Sequence, residues 1–187
     1  NKIELVRGEQ YRLTNFSDIN LGEIDFDIPK TSNLEIKKRL DKTILILSSD
    51  SGSSYLKSDG TPLDKISGEM AMLLVQQNTT LTPIEAEEIT SSKKGSEYRG
   101  RTLPLMKVIS KNEKDKLINV YLNVYSGEVT AIRSMQWKIW DLMWGFHIMD
   151  WQERDNIDNL FLKIFSILAL VSSISGILLF FKIDIKK

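Results

Sequence analysis

The 187-residue chain contains no cysteine, a single histidine and no formal net charge, because 25 basic residues balance 25 acidic ones. The lack of cysteine excludes disulfides, thiolate nucleophiles, cysteine-ligated zinc and iron–sulfur clusters. The single histidine excludes a His-Glu-x-x-His zinc site, and the isolated glycines form no phosphate-binding loop. Without a large basic field, nucleic acid is not an expected partner. These absences together predict a protein that is not an enzyme.

One long apolar segment is present near the C-terminus, at residues 160–181. Residues 164–181 carry no charge, and as a helix they would span about 27 Å, close to the hydrocarbon thickness of a bilayer. Acidic residues precede the segment and lysines follow it. The positive-inside rule therefore predicts a cytoplasmic C-terminus and a larger domain outside the membrane. The alternative is a buried core helix of a soluble protein.

Four small residues inside this segment form two pairs spaced four apart, Ala169 with Ser173 and Ser172 with Gly176. Such positions let a second transmembrane helix approach closely. The alternative is that serine and glycine are simply common in membrane helices. Because the chain begins with Asn1 rather than methionine, we expect a targeting or membrane segment to precede it. That segment, or a helix of a partner subunit, is the predicted packing partner.

All four tryptophans and the histidine fall in one short segment, at Trp137, Trp140, Trp144, His147 and Trp151. Steps of three and four residues place them on one helical face. Residues 136–149 are therefore predicted to form an amphipathic helix at the outer membrane surface, since tryptophan favours the headgroup region. His147 has two interpretations. It is an interfacial residue that bonds a headgroup or a neighbour such as Asp150, or a heme ligand whose second histidine comes from elsewhere.

The first 134 residues alternate strand patterns with turn signals and contain one clear helix. Predicted strands cover residues 34–40, 44–47, 83–90, 101–110, 118–125 and 128–132, predicted turns and loops cover 50–54, 57–62, 91–100 and 111–116, and the helix covers 66–77. The predicted apolar face of the helix consists of Ile66, Met70, Leu73 and Leu74. Ser67 is positioned to cap its start. Pro104 indicates an edge strand or a bulge.

Strand 118–125 has the clearest alternation, with apolar residues on one face and Tyr121 and Tyr125 on the other. Exposed aromatic residues on a sheet can dock a peptide or another protein. The alternative is ordinary packing of that face against the N-terminal half of the domain. A separate acidic cluster carries oxygen ligands suited to a divalent cation, but its spacing matches no calcium loop and favours a solvated surface. Its residues are Asp18, Glu23, Asp25 and Asp27.

Residues 66–134 resemble a PepSY domain, through the helix, the strands after it and a closing segment that contains Gly127-Glu128-Val129. Asn123 stands where that family commonly has aspartate. Residues 144–151, which include His-Ile-Met-Asp directly before the apolar segment, are similar to bacterial PepSY-associated transmembrane proteins. The resemblance implies a helix packed on an antiparallel sheet and a role in peptidase regulation. It also implies relatives associated with iron uptake and siderophore reduction, in which membrane histidines hold heme.

The sequence thus predicts an α+β chain whose antiparallel sheet carries a packed helix, followed by an interfacial helix and a transmembrane helix. Its expected parts are a β-rich region at 1–65, a PepSY-like domain at 66–134, an interfacial helix and acidic connector at 135–159, a transmembrane helix at 160–181 and a cytoplasmic tail at 182–187.

The predicted function is a non-enzymatic, extracytoplasmic binding or regulatory module at the bacterial inner membrane, without a cofactor. Its expected partners are lipid, another transmembrane helix and a peptide or protein. The alternative is a heme-binding or iron-uptake accessory, such as a ferric-siderophore reductase subunit, that uses His147.

Overall fold

A computed structural model describes residues 33–50 and 52–184 as an α+β protein with two antiparallel sheets, which confirms the predicted class. The elements are β1 (Asn33–Arg39), β2 (Lys42–Ser49), β3 (Gly52–Lys57), α1 (Gly68–Asn78), β4 (Thr82–Ile89), β5 (Leu105–Lys111), β6 (Leu117–Asn123), β7 (Val129–Ser134), α2 (Met135–His147) and α3 (Leu160–Asp184). The described residues form two compact units. The sheet unit includes both sheets and α1, and the helical unit includes residues 93–97 together with 136–184.

The first sheet has the strand order β1-β2-β3, and its central strand, β2, contains the strand predicted at residues 44–47. Ile44 and Leu45 of β2 are almost fully buried. The predicted turn at residues 50–54 is wrong in its second half, because β3 begins at Gly52 and the two serines that follow pair with β2. Pairing with a neighbouring strand here overrides the turn preference of glycine and serine.

α1 packs against the second sheet, in which the strand order is β4-β5-β6-β7. As predicted, Ser67 caps the helix, and its hydroxyl accepts the N–H of Met70 at 3.2 Å. The buried residues of α1 are Ala71, Leu74 and Val75. Leu73, predicted for the apolar face, is exposed. That prediction is wrong because positions three and four apart, starting from Ala71, form the face that the sheet covers.

The apolar face predicted for residues 118–125 is confirmed. Its members are all buried: Ile118, Val120, Leu122 and Val124. They form one hydrophobic core cluster with the buried residues of α1. The strand itself ends at Asn123, two residues earlier than predicted, because a turn begins there in which the N–H of Gly127 donates to the Asn123 carbonyl at 2.9 Å.

The prediction that Pro104 marks an edge strand or a bulge is wrong. Pro104 lies just before β5, which pairs with β4 on one side and β6 on the other. Proline has no N–H to donate, so an interior strand begins only after it. The register shift of this sheet edge occurs instead in β4, between Pro83 and Glu85.

Candidate membrane-interface site

α3 is long and apolar enough to cross a membrane. Within the part of the chain that the structure describes, it alone meets both conditions, over Leu160–Phe181, and none of its most apolar stretch is buried. A core helix of a soluble protein would bury most of its apolar side chains. α3 is therefore a candidate membrane anchor.

α2 exposes apolar side chains over most of its circumference. The exposed large apolar residues within positions 136–147 are Ile139, Trp140, Leu142, Met143, Trp144 and Phe146. The two buried residues of the helix are Asp141 and Gly145. A helix on the surface of a water-soluble protein has the reverse arrangement, with apolar residues inside and charges outside. The polarity of α2 is that of a helix with apolar surroundings.

α2 carries two apolar stripes, of which one was predicted from the sequence. The predicted tryptophan stripe is present, and its helical members are Trp137, Trp140 and Trp144. A second stripe consists of Ile139, Leu142, Met143 and Phe146. Its spacing of three and four residues is a signal present in the sequence. Together the two stripes cover more than half of the helix surface at 100° per residue.

α2 ends earlier than predicted, in a Schellman motif. Met149 adopts a left-handed conformation with φ of 58°. Its N–H donates to the carbonyl of Phe146 at 3.2 Å, and the N–H of Asp150 donates to that of Gly145 at 2.9 Å. This bond pattern closes the last helical turn. The prediction that Trp151 shares the helical face is therefore wrong, because Trp151 follows the turn.

The buried carboxylate of α2 is held by an arginine from the connector that joins α2 to α3. Nη1 of Arg154 lies 2.8 Å from Oδ2 of Asp141, whose side chain is 1% exposed. The absence of a side chain at Gly145 makes room for this contact. A Cβ there would lie 2.9 Å from Cγ of Arg154 and 2.9 Å from the carbonyl oxygen of Asp150. The pair therefore depends on glycine at position 145.

Asp150 organises the connector through its carboxylate. Oδ1 accepts the backbone N–H groups of Gln152 (3.3 Å) and Glu153 (3.1 Å), and Oδ2 accepts those of Asp155 (3.2 Å) and Asn156 (3.0 Å). Burial, the largest single influence, raises the pKa of Asp150, but these four N–H groups together hold it below its ordinary value. The charged form of Asp150 therefore stabilises the turn.

Asn159 joins the connector to α3. Its amide nitrogen donates to the carbonyl oxygens of Ile148 and Asn156, each at 2.8 Å. Its amide oxygen accepts the N–H of Leu162 at 2.9 Å, which is the geometry of a helix N-cap. One side chain thus satisfies polar groups on both sides of the start of α3.

Ion pairs surround the connector and neutralise its charges. Two of these pairs involve the segment of residues 93–97. Lys94 pairs with Glu153 at 2.6 Å, and Glu97 pairs with Lys138 of α2 at 2.7 Å. The hydrogen bond from Lys94 to Glu153 raises the pKa of Lys94. Lys163 pairs with Asp158 at 2.6 Å. The acidic flank that the sequence places before α3 is thus partly neutralised by nearby lysines.

His147 is exposed at the end of α2, with its ring 5.8 Å from that of Trp144. Asp150, its predicted neighbour, uses its carboxylate for the connector backbone. Among residues 33–50 and 52–184, no group of three or more His, Asp or Glu side chains could hold a metal ion. Both interpretations of His147 stay predictions.

The small residues predicted for helix packing lie exposed on α3: Ala169, Ser172, Ser173 and Gly176. The hydroxyl of Ser173 donates to the Ala169 carbonyl of its own helix at 2.8 Å, and the space that a Cβ at Gly176 would occupy is open. Packing of a second helix there stays a prediction. The acidic cluster at residues 18–27 and the lysine side chains after Phe181 lie outside the described residues.

The two tyrosines predicted for a docking face differ in position. Tyr121 is 2% exposed and packs with Tyr98, Leu105 and Ala131, so the expectation that it lies on an exposed face is wrong. Tyr125 stacks on Tyr55 of β3, with ring centroids 5.1 Å apart. The alternative prediction, packing against the N-terminal half, describes Tyr125.

Asn123 holds the turn between β6 and β7. Its side-chain oxygen accepts the N–H groups of Tyr125 (2.8 Å) and Ser126 (3.0 Å), while its amide nitrogen donates to the hydroxyl of Tyr55 at 2.9 Å. Gly127 follows with φ of 71°, and a Cβ there would lie 2.6 Å from Leu74. The turn therefore requires glycine and a side-chain acceptor at these positions.

No protein-family model, no curated protein and no solved structure matches the chain.

Proposed function

We propose that the chain is a membrane-anchored, non-enzymatic binding or regulatory module of the PepSY type, which acts on a protein or peptide outside the cytoplasmic membrane of a bacterium. The observation that carries the proposal is α3, an apolar helix long enough to span a bilayer with none of its most apolar stretch buried. The exposed apolar surface of α2 supports the same placement.

Two features support the PepSY assignment. α1 packs against an antiparallel sheet, which is the arrangement that the sequence resemblance implies. The Gly127-Glu128-Val129 segment lies at the turn between β6 and β7, where Asn123 supplies the acceptor that the aspartate of the family could also supply. The residue types that carry the resemblance thus have a structural role in this chain.

The anchor is tested by alkaline carbonate extraction of bacterial membranes that contain the full chain. We expect the chain to stay in the pellet. The double substitution Leu170→Lys with Val171→Lys in α3 adds about 5–7 kcal/mol to the free energy of membrane insertion. This variant should therefore be released into the supernatant. The matched control Leu170→Val with Val171→Leu should stay in the pellet. Extraction of the unmodified chain would overturn the proposal.

The orientation is tested with introduced cysteines, because the natural chain contains none. Lys114→Cys lies in the turn after β5, and Lys187→Cys lies at the C-terminus. A membrane-impermeant maleimide added to spheroplasts should label Lys114→Cys at once and Lys187→Cys only after permeabilisation. The opposite pattern would place the sheet unit in the cytoplasm.

The non-enzymatic role is tested with the full chain purified in detergent. We expect no hydrolysis of a peptide library and no reduction of ferric chelates by the chain alone. The regulatory role predicts that the chain changes the rate at which a co-purified extracytoplasmic peptidase cleaves its substrate. Unaided turnover in either assay would contradict the proposal.

A further inference from the structure

We infer that α2 is a second membrane-inserted element, whose second stripe contacts the acyl chains of the lipid. This inference rests on the proposed membrane anchor. The second stripe, Ile139, Leu142, Met143 and Phe146, is between 40% and 55% exposed at each residue. The thirteen residues of α2 are about 20 Å long and too short to span a bilayer. The helix is therefore inserted from one side, as interfacial helices are.

Two side chains of the connector pair backbone groups within the helical unit. Hydrocarbon offers no hydrogen bonds, so a non-helical segment near it must pair its own backbone groups. Asp150 accepts four N–H groups, and Asn159 pairs with three more backbone groups. In a connector exposed to water, the solvent could satisfy these backbone groups, and such side-chain partners would not be needed.

Three carboxylates of the same region are also paired with cations. Asp141 is turned inward onto Arg154, while Glu153 and Asp158 each pair with a lysine. Burial of an unpaired charge in a low-dielectric region is costly, but paired charges can approach it. The second stripe of α2 is left exposed.

Continuity with α3 favours lipid over a protein partner as the occupant of this surface. The ring of Phe146, at the end of the second stripe, lies 6.3 Å from that of Trp151. Trp151 in turn lies 5.7 Å from Phe161, in the first turn of α3. These ring contacts connect the end of the second stripe with the first turn of the candidate span. With α3 in the bilayer, these contacts bring the end of the second stripe to the membrane, so lipid is the occupant that we infer for it.

The tryptophans give a first measurement, because all four lie in the helical unit. The full chain is reconstituted in vesicles of phosphatidylcholine and phosphatidylglycerol with bromine near the headgroup or near the chain end. We expect strong quenching of fluorescence by the shallow bromines, weaker quenching by the deep ones, and protection from aqueous acrylamide. Quenching by acrylamide without quenching by bromolipid would overturn the inference.

Introduced cysteines test the second stripe directly. Ile139→Cys and Met143→Cys are labelled with the fluorophore NBD and compared with Lys114→Cys, which lies in an exposed turn. Dithionite should reduce the labels on α2 at least about ten times more slowly than the label at position 114, since the helix lies below the headgroups. Lipid nitroxides should quench only the labels on α2.

Two results would overturn the inference. Equal reduction at all three positions would place the stripe in water. Protection from dithionite without quenching by lipid nitroxide would place the stripe under protein. Carbonate extraction of the same samples separates the two proposals. If the chain stays in the pellet and gives either of these two results, only the inference about α2 is contradicted. A chain that is extracted contradicts the anchor first.

Discussion

Replacement of Arg154 in the buried Asp141–Arg154 ion pair is expected to cost more stability than replacement of Asp141. The Asp141 side chain is 1% exposed and that of Arg154 is 26% exposed. Loss of one partner from a buried pair typically costs about 3–5 kcal/mol, because the other charge stays buried without compensation. We therefore expect Arg154→Met to lower the free energy of unfolding by about 3 kcal/mol, at the lower end of that range.

Substitution of the other partner, Asp141, is expected to lower the free energy of unfolding by less. Asp141→Asn leaves an arginine whose side chain is already 26% exposed, so a cost of about 1–2 kcal/mol follows. The double variant should cost less than the sum of the two single variants by about 1 kcal/mol or more, since the second substitution removes a charge that the first one stranded.

The assay is denaturant unfolding of the full chain in detergent micelles, followed by tryptophan fluorescence. All four tryptophans lie between positions 137 and 151, so the signal reports the unit that contains the pair. The control is Lys163→Met, because the Lys163–Asp158 pair is 59% and 79% exposed and should contribute at most about 1 kcal/mol. The reasoning is refuted if Arg154→Met costs no more than this control, or less than Asp141→Asn.

Three further outcomes are expected. The hydroxyl of Ser110 is buried without a hydrogen-bond partner among the described residues, so Ser110→Ala should raise the free energy of unfolding by about 1 kcal/mol. Ser126→Ala should lower the free energy of unfolding, because the Ser126 hydroxyl accepts the N–H of Glu128 at 3.2 Å. Calorimetry in which both substitutions change the free energy of unfolding in the same direction would contradict this. The pKa of Asp150 is depressed in the folded chain, so its contribution to stability is complete above the ordinary value of 3.8 and is lost as the pH falls through the folded value. Unfolding midpoints should therefore fall more steeply below about pH 4 for the natural chain than for Asp150→Asn, and parallel curves would count against the role of the carboxylate. The full chain purified with heme supplied during growth should show no Soret band; a band that disappears in His147→Ala would establish the alternative function.

Burial of Tyr121 and exposure of the second stripe on α2 show where sequence patterns stop being informative. Alternation along residues 118–125 separates two faces of a strand, but it cannot say whether the polar face meets water or other residues. Tyr98, which lies outside any strand, covers Tyr121. Likewise, helical spacing groups Ile139 with Leu142, but only the position of Arg154 shows that Asp141 is the buried side of the helix.

Features that depend on neighbours a few residues away could be predicted from the amino-acid sequence. These are the apolar span at 160–181, the tryptophan stripe, the cap at Ser67 and the core face of β6, since helix and strand periodicity act over three or four residues. Contacts between residues far apart in the chain are seen only in the folded structure. It pairs Asp141 with Arg154, stacks Tyr55 on Tyr125 and starts β3 at Gly52. Such contacts depend on which surfaces meet after folding, and local periodicity carries no information about that choice.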